Sequence, residues 1–208
     1  MTARTLLSAW LAVPLLSCSP ASNRPEAREE AATPPAETAA AAATGAATDD
    51  AGKVGEAVSA APASIGANAT VMDWPAKEGE KMRELRAGSN DWLCFPSSPA
   101  AVTAAGQDPM CFPKAMQGWA EAWMTKKPPK LARMSIAYML QGDAGASNTD
   151  PFATAPAADN AWVTSGPHVM VVVPNPKDLN ALPSDPAGGG PWVMWKGTPY
   201  AHLMVPVR

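Results

Sequence analysis

A chain of 208 residues with a net charge of −3 is long enough for one domain of ordinary size. From Ala67 onward, lysine plus arginine and aspartate plus glutamate are balanced at twelve each, and no basic stripe stands out. A surface that collects phosphates needs such a stripe, so the composition excludes nucleic acid as a partner. The same balance of charge argues against membrane attachment through a polybasic patch.

The N-terminus is typical of an exported protein. Arg4 precedes an apolar run from Leu6 to Leu16, which is too short to span a hydrocarbon core of about 30 Å. Residues 1–18 are therefore predicted to be a signal peptide. Their end, Leu15-Leu16-Ser17-Cys18, resembles the lipobox of bacterial lipoproteins, which implies a lipid on Cys18 as the link to the membrane. Cleavage after Ser19-Pro20-Ala21 is the alternative, and it would release a soluble protein.

A tether of biased composition follows the signal peptide. Residues 19–66 are mostly Ala, Pro, Thr, Ser, Glu and Gly, without an aromatic side chain. Such a segment buries too little apolar surface to offset its loss of chain entropy, so we expect it to be disordered. Seven of the eight tryptophans come later, and we place a single globular domain at residues 67–208.

Two cysteines remain in that domain, Cys94 and Cys111. An even pair in an exported protein is expected to form a disulfide, which closes a loop worth about 3 kcal/mol in the chain-entropy model. A redox-active pair or a pair of thiolate metal ligands are the alternatives. Neither the spacing nor a CxxC motif favours them.

The first half of the domain reads as short strands followed by one helix. Thr70–Trp74 and Trp92–Phe95 are β-prone, and Lys81–Arg86 fits either a returning strand or a helical turn. A helix is predicted over Pro113–Lys126, because apolar residues recur there at helical spacing. Those residues are Met116, Trp119, Ala120, Trp123 and Met124.

The second half reads as strands separated by loops. Strands are predicted within Arg133–Gln141, Trp162–Val173, Pro191–Lys196 and Tyr200–Val207. Strict alternation would put Trp192 and Trp195 on opposite faces, so that at most one of them is exposed. Together these patterns predict an α+β fold, with a mostly antiparallel sheet, one main amphipathic helix and one disulfide.

Both histidines of the chain lie in the same short pattern, His-x-Met. His168 is followed by Met170, and His202 by Met204. Residues i and i+2 of a strand share a face, so neighbouring strands could bring all four side chains together. Imidazole and thioether ligands are soft enough to favour copper, especially Cu(I). The alternative is structural, with the methionines packing a core and each histidine bonded to a backbone carbonyl.

An enzymatic interpretation rests on the long polar loop of residues 142–160. A hydrolase could combine Ser147 or Asp150 from this loop with His168 or His202. No GxSxG, HExxH, P-loop or GxGxxG motif accompanies them, and turn chemistry explains Asp150 equally well. The sequence therefore favours a protein that is not an enzyme.

The domain resembles an uncharacterised family of exported bacterial proteins. The similarity is carried by Asp108-Pro-Met-Cys111, Ser147-Asn-Thr-Asp-Pro-Phe152, Gly166-Pro-His-Val-Met170 and Thr198-Pro-Tyr-Ala-His-Leu-Met204. The resemblance implies export and no particular activity. We therefore expect a periplasm-facing or outer-membrane lipoprotein whose C-terminal domain is a binding or structural module. A copper-binding protein and a hydrolase are the alternatives.

Overall fold

The computed structural model describes residues 49–75, 77, 80–99 and 107–207, all within one compact unit, Glu37–Arg208. The predicted signal peptide, Cys18 and residues 19–48 lie outside the described residues. None of the helices that the structure describes is long and apolar enough to cross a bilayer.

Ten strands are described: β1 Thr70–Asp73, β2 Arg83–Arg86, β3 Trp92–Phe95, β4 Met110–Pro113, β5 Ser135–Met139, β6 Ala146–Ser147, β7 Trp162–Val163, β8 His168–Val172, β9 Trp192–Met194 and β10 His202–Pro206. Eight of them form one mixed sheet in the order β2-β1-β3-β4-β5-β8-β10-β9. Within this sheet, β1 and β3 pair in parallel and the other described neighbours pair antiparallel. The two remaining strands, β6 and β7, form a separate two-stranded ribbon.

The main core lies on one face of this sheet. The predicted helix is shorter than expected: a 3₁₀ turn, Lys114–Met116, leads into α3, Gln117–Met124. From this segment Met116 and Trp119 pack against large side chains of the strands, including Phe95 and Phe112, whose rings stack 5.2 Å apart. This face is therefore filled mainly by long and aromatic side chains.

The opposite face is covered by a segment that the sequence had assigned to the disordered tether. Residues 49–59 form helix α1, and Ala63–Gly66 form a second helix, α2. Ala57 and Ala60 are completely buried there, against Val71 of β1. The expectation of disorder is therefore wrong for residues 49–66. Alanine offers little apolar surface, but its small size lets a helix approach the sheet closely, and alanine is also the best helix former.

The disulfide between Cys94 and Cys111 is confirmed. The two cysteines are directly paired across β3 and β4, with their Cα atoms 4.1 Å apart. Both are fully buried beneath α1, and the sulfur of Cys111 lies 3.4 Å from the carbonyl oxygen of Ala57. Helix α1, which the sequence analysis did not predict, thus covers the disulfide, which the sequence analysis did predict.

Candidate functional site

A cavity of about 160 Å³ lies between the main face of the sheet and α3. Its walls contain both histidines of the chain and eight of the eleven methionines. The remaining lining is largely aromatic, contributed by tryptophan and phenylalanine. The methionines are Met82, Met110, Met116, Met124, Met139, Met170, Met194 and Met204.

The two His-x-Met segments lie side by side in the sheet. β8 and β10 are antiparallel neighbours, and Met170 is directly opposite Met204. His168 and Met170 are buried on one face of β8, as are His202 and Met204 on the matching face of β10. The four residues considered as metal ligands therefore border one cavity from a common face.

The register separates the two histidines, however. His168 is opposite Pro206, whereas His202 is opposite Val172. The two histidines are thus offset by four residues along the strand direction. Strand geometry makes this separation about 13 Å along the strands and about 5 Å across them. The methionines, and not the imidazoles, meet in the middle of the pair.

Each imidazole is anchored in the same way. Nδ1 of His168 lies 2.8 Å from the carbonyl oxygen of Gly166, and Nδ1 of His202 lies 3.0 Å from that of Tyr200. Because a carbonyl can only accept, each Nδ1 carries the proton and donates it. Each Nε2 then presents a lone pair.

Both Nε2 atoms are buried, and neither has a hydrogen-bond partner in the part of the chain that the structure describes. Buried polar groups are normally paired, so two such atoms bordering one cavity are unusual. Each imidazole thus combines an orienting hydrogen bond at Nδ1 with an acceptor at Nε2 that has no partner among the described residues. This combination is typical of metal-binding histidines.

Burial also fixes the protonation state of the two rings. It lowers the pKa of His202 to about 4, with a smaller contribution in the same direction from His168 and an opposing one from the Tyr200 carbonyl. Burial likewise lowers the pKa of His168, against the carbonyl of Gly166 and the carboxylate of Asp143. At neutral pH both side chains are neutral imidazoles, which is the form that binds metal ions.

Aromatic rings hold His202 in place. Trp195 meets it edge to face at 4.9 Å between ring centres, and Trp119 does so at 5.9 Å. β9 ends at Met194, and Trp195 adopts a left-handed backbone conformation with φ of 55°. This turn redirects the Trp195 ring into the core, so Trp192 and Trp195 are both buried and neither forms an exposed surface. A bulky residue at positive φ is rare and is found mostly where a site requires it.

The polar loop holds these aromatic side chains through hydrogen bonds to their indole N–H groups. Ser147 accepts the indole N–H of Trp195 through its carbonyl, and Asn148 accepts that of Trp192 through its side chain. The Oγ of Ser147 donates to the carbonyl of Asn160 and accepts from the backbone N–H of Asp150. Among the described residues, neither histidine shares a hydrogen bond with Ser147 or Asp150, the partners that the hydrolase alternative would require.

Two carboxyl groups also border the cavity, Asp108 and Asp143. Burial raises the pKa of Asp108, although the backbone N–H of Ser98 donates to it. Asp143 accepts from the backbone N–H groups of Gly145 and Ser165. Asp108 also lines a wider groove of about 450 Å³, which shares several other lining residues with the cavity.

The donor set is unlike that of a zinc or calcium site. Within the described residues, no three side chains of histidine, cysteine, aspartate or glutamate lie close enough to hold a metal ion together. Sequence reasoning singled out four of the residues at this site but missed Met139 and Met194, which only the strand register identifies. No family model, curated protein or solved structure matches the chain.

Proposed function

We propose that this chain is an exported bacterial lipoprotein whose C-terminal domain binds a soft monovalent metal ion, Cu(I), in the methionine-rich cavity. The observation that carries the proposal is the pair of buried Nε2 atoms of His168 and His202. Each has no hydrogen-bond partner among the described residues and is oriented by a bond from its Nδ1 to a carbonyl.

The chemistry of the lining selects the kind of ion. Neutral imidazole and thioether ligands favour soft ions such as Cu(I), whereas magnesium and calcium require oxygen ligands. The cavity wall is mostly apolar, and the cost of burying an ion rises with its charge. A monovalent ion held by neutral donors is therefore favoured over a divalent one.

A purely structural role accounts less well for the two imidazoles. A buried acceptor without a partner costs roughly 1–3 kcal/mol, and the described residues of this core include two of them. An apolar side chain at either position would avoid this cost and fill part of the cavity. A metal ion that takes up both lone pairs would instead convert this cost into binding free energy.

The metal-binding test is an anaerobic titration of the purified full chain with Cu(I) in competition with the chelator bicinchoninate. We expect the wild type to retain Cu(I), and the double variant His168→Ala, His202→Ala to lose it to the chelator. Met134→Leu is the matched control, because Met134 is 65% exposed and does not line the cavity. Folded wild-type protein that retains no Cu(I), or a double variant that retains as much as the wild type, would refute the proposal.

Export and anchoring are tested separately in a bacterial host. We expect the chain to be recovered with membranes, to incorporate labelled fatty acid, and to lose both properties in Cys18→Ser. Processed wild-type protein that is soluble and unlabelled would instead favour cleavage after Ala21. This result would leave the proposal for the domain intact.

A further inference from the structure

The cross-strand neighbours of both histidines are methionines. Met139 of β5 is directly opposite His168, and Met194 of β9 is directly opposite His202. Side chains paired in this way have Cβ atoms about 4.5–5.5 Å apart. Both methionines are at least nine-tenths buried and border the same cavity as the histidines.

Each histidine therefore has two thioethers of its own. His168 has Met139 across the strand pair and Met170 two residues along its own strand. His202 has Met194 opposite it on β9 and Met204 two residues further along β10. In both sets, one methionine lies directly opposite the histidine on the neighbouring strand, and the other follows the histidine by two residues on the same strand. They adjoin where Met170 is opposite Met204.

One ion cannot readily be shared by the two imidazoles. Metal–nitrogen bonds of about 2.0–2.1 Å would require the two Nε2 atoms to lie within roughly 4 Å of each other. The backbone positions are four residues apart along adjacent strands. In addition, each ring is held at Nδ1 by a carbonyl two residues before it, Gly166 for one and Tyr200 for the other. These carbonyls lie at opposite ends of the strand pair, beyond the two histidines.

We propose that the cavity holds two Cu(I) ions, one bound by His168, Met139 and Met170 and the other by His202, Met194 and Met204. This inference rests on the proposed function, and it adds a second ion and two ligands to it. Binding involves no change of oxidation state and no release of protons, because both Nε2 atoms are already unprotonated.

The two sets differ in their electrostatic surroundings. The carboxylate of Asp143 acts on His168 and favours positive charge there. Among the described titratable groups, His168 is the one that acts on His202, and it disfavours positive charge there. Two cations held in one cavity repel each other, so we expect the second ion to bind more weakly than the first.

The test is the stoichiometry of Cu(I) bound by the full chain and its single variants in competition with bicinchoninate. The wild type should bind two equivalents in two steps. Met139→Leu and Met194→Leu should each leave one equivalent unchanged and weaken the other at least tenfold. Leucine has nearly the volume of methionine, so the fold should be preserved. Met116→Leu is the control, because it changes the same cavity from the helical side.

The outcomes separate this inference from the proposed function. A wild type that binds one equivalent, lost on changing either histidine, would refute two sites while leaving Cu(I) binding intact. Two equivalents unaffected by Met139→Leu and Met194→Leu, or reduced by Met116→Leu, would refute the ligand assignment. Absence of any bound Cu(I) would refute the proposed function itself.

Discussion

The two faces of the sheet are packed in opposite ways. One face carries methionine, tryptophan and phenylalanine around a cavity, together with two imidazole nitrogens that have no hydrogen-bond partner in the described part of the chain. The other carries alanine, valine and a disulfide beneath a closely approaching helix. The same strands supply both faces: in β3, Cys94 points to one side and Phe95 to the other.

This difference indicates that the described part of the molecule has room for a ligand on the face that carries the cavity and not on the face that carries the disulfide. Small side chains and a crosslink allow close packing and a rigid layer. Long flexible thioethers adapt to irregular space and can rearrange, as methionine does in adaptable binding surfaces. We infer that the disulfide face stabilises the sheet so that the cavity face can tolerate the two buried Nε2 acceptors, which have no hydrogen-bond partner among the described residues.

The largest expected effect comes from breaking the closely packed face. Replacing Cys94 and Cys111 together by alanine should lower the free energy of unfolding by about 3 kcal/mol from chain entropy, and further because buried sulfur atoms are lost. Chemical denaturation of the two proteins measures the difference. Reductant should destabilise the wild type and leave the double variant unaffected. A double variant as stable as the oxidised wild type would show that the crosslink does not support this face.

The second effect concerns the cavity face and depends on pH. The folded-state pKa of His202, about 4, lies below the usual value of 6.5. Between these values the unfolded chain binds more protons than the folded one, so stability falls as the pH drops from 6.5 to 4. The loss attributable to His202 should reach about 3 kcal/mol, at 1.36 kcal/mol per pKa unit. His168 contributes in the same direction.

Comparing the wild type with His202→Leu isolates this effect, since the other titrating groups are common to both. Unfolding free energies measured from pH 7 to pH 4 should decrease more steeply in the wild type. Parallel curves would mean that the imidazole is not buried in the neutral form. Bound Cu(I) should reduce the acid sensitivity of the wild type, because a coordinated Nε2 cannot accept a proton.

The parts of this structure that local sequence determines were predictable. Alternation in Arg133–Gln141 correctly indicated a strand, β5, and the even pair of cysteines indicated the crosslink. The histidines share a face with the methionines that follow them, because the side-chain period of a strand is two. None of these features requires knowledge of distant parts of the chain.

Features set by distant contacts were not predictable from the sequence. Strand register decides that Met139 and Met194 oppose the histidines, and register depends on pairing between segments far apart in the chain. The docking of α1 depends on the shape of the sheet that receives it, so composition alone indicated disorder. The left-handed turn at Trp195 is imposed by its bonds to the loop at Ser147 and Asn148.

The smallest expected effect compares the two faces with one kind of substitution. Ala57 is fully buried against the disulfide layer, whereas Ala120 of α3 is half-buried and borders the cavity. Alanine and leucine have similar helix propensities, so packing decides the result of a change to leucine. Ala57→Leu should overpack its face and cost about 1–3 kcal/mol. Ala120→Leu should remain within about 0.5 kcal/mol of the wild type, because the cavity can accept the added carbons. Denaturation midpoints of the two variants measure the contrast, and equal losses would mean that the cavity face is as tightly packed as the disulfide face.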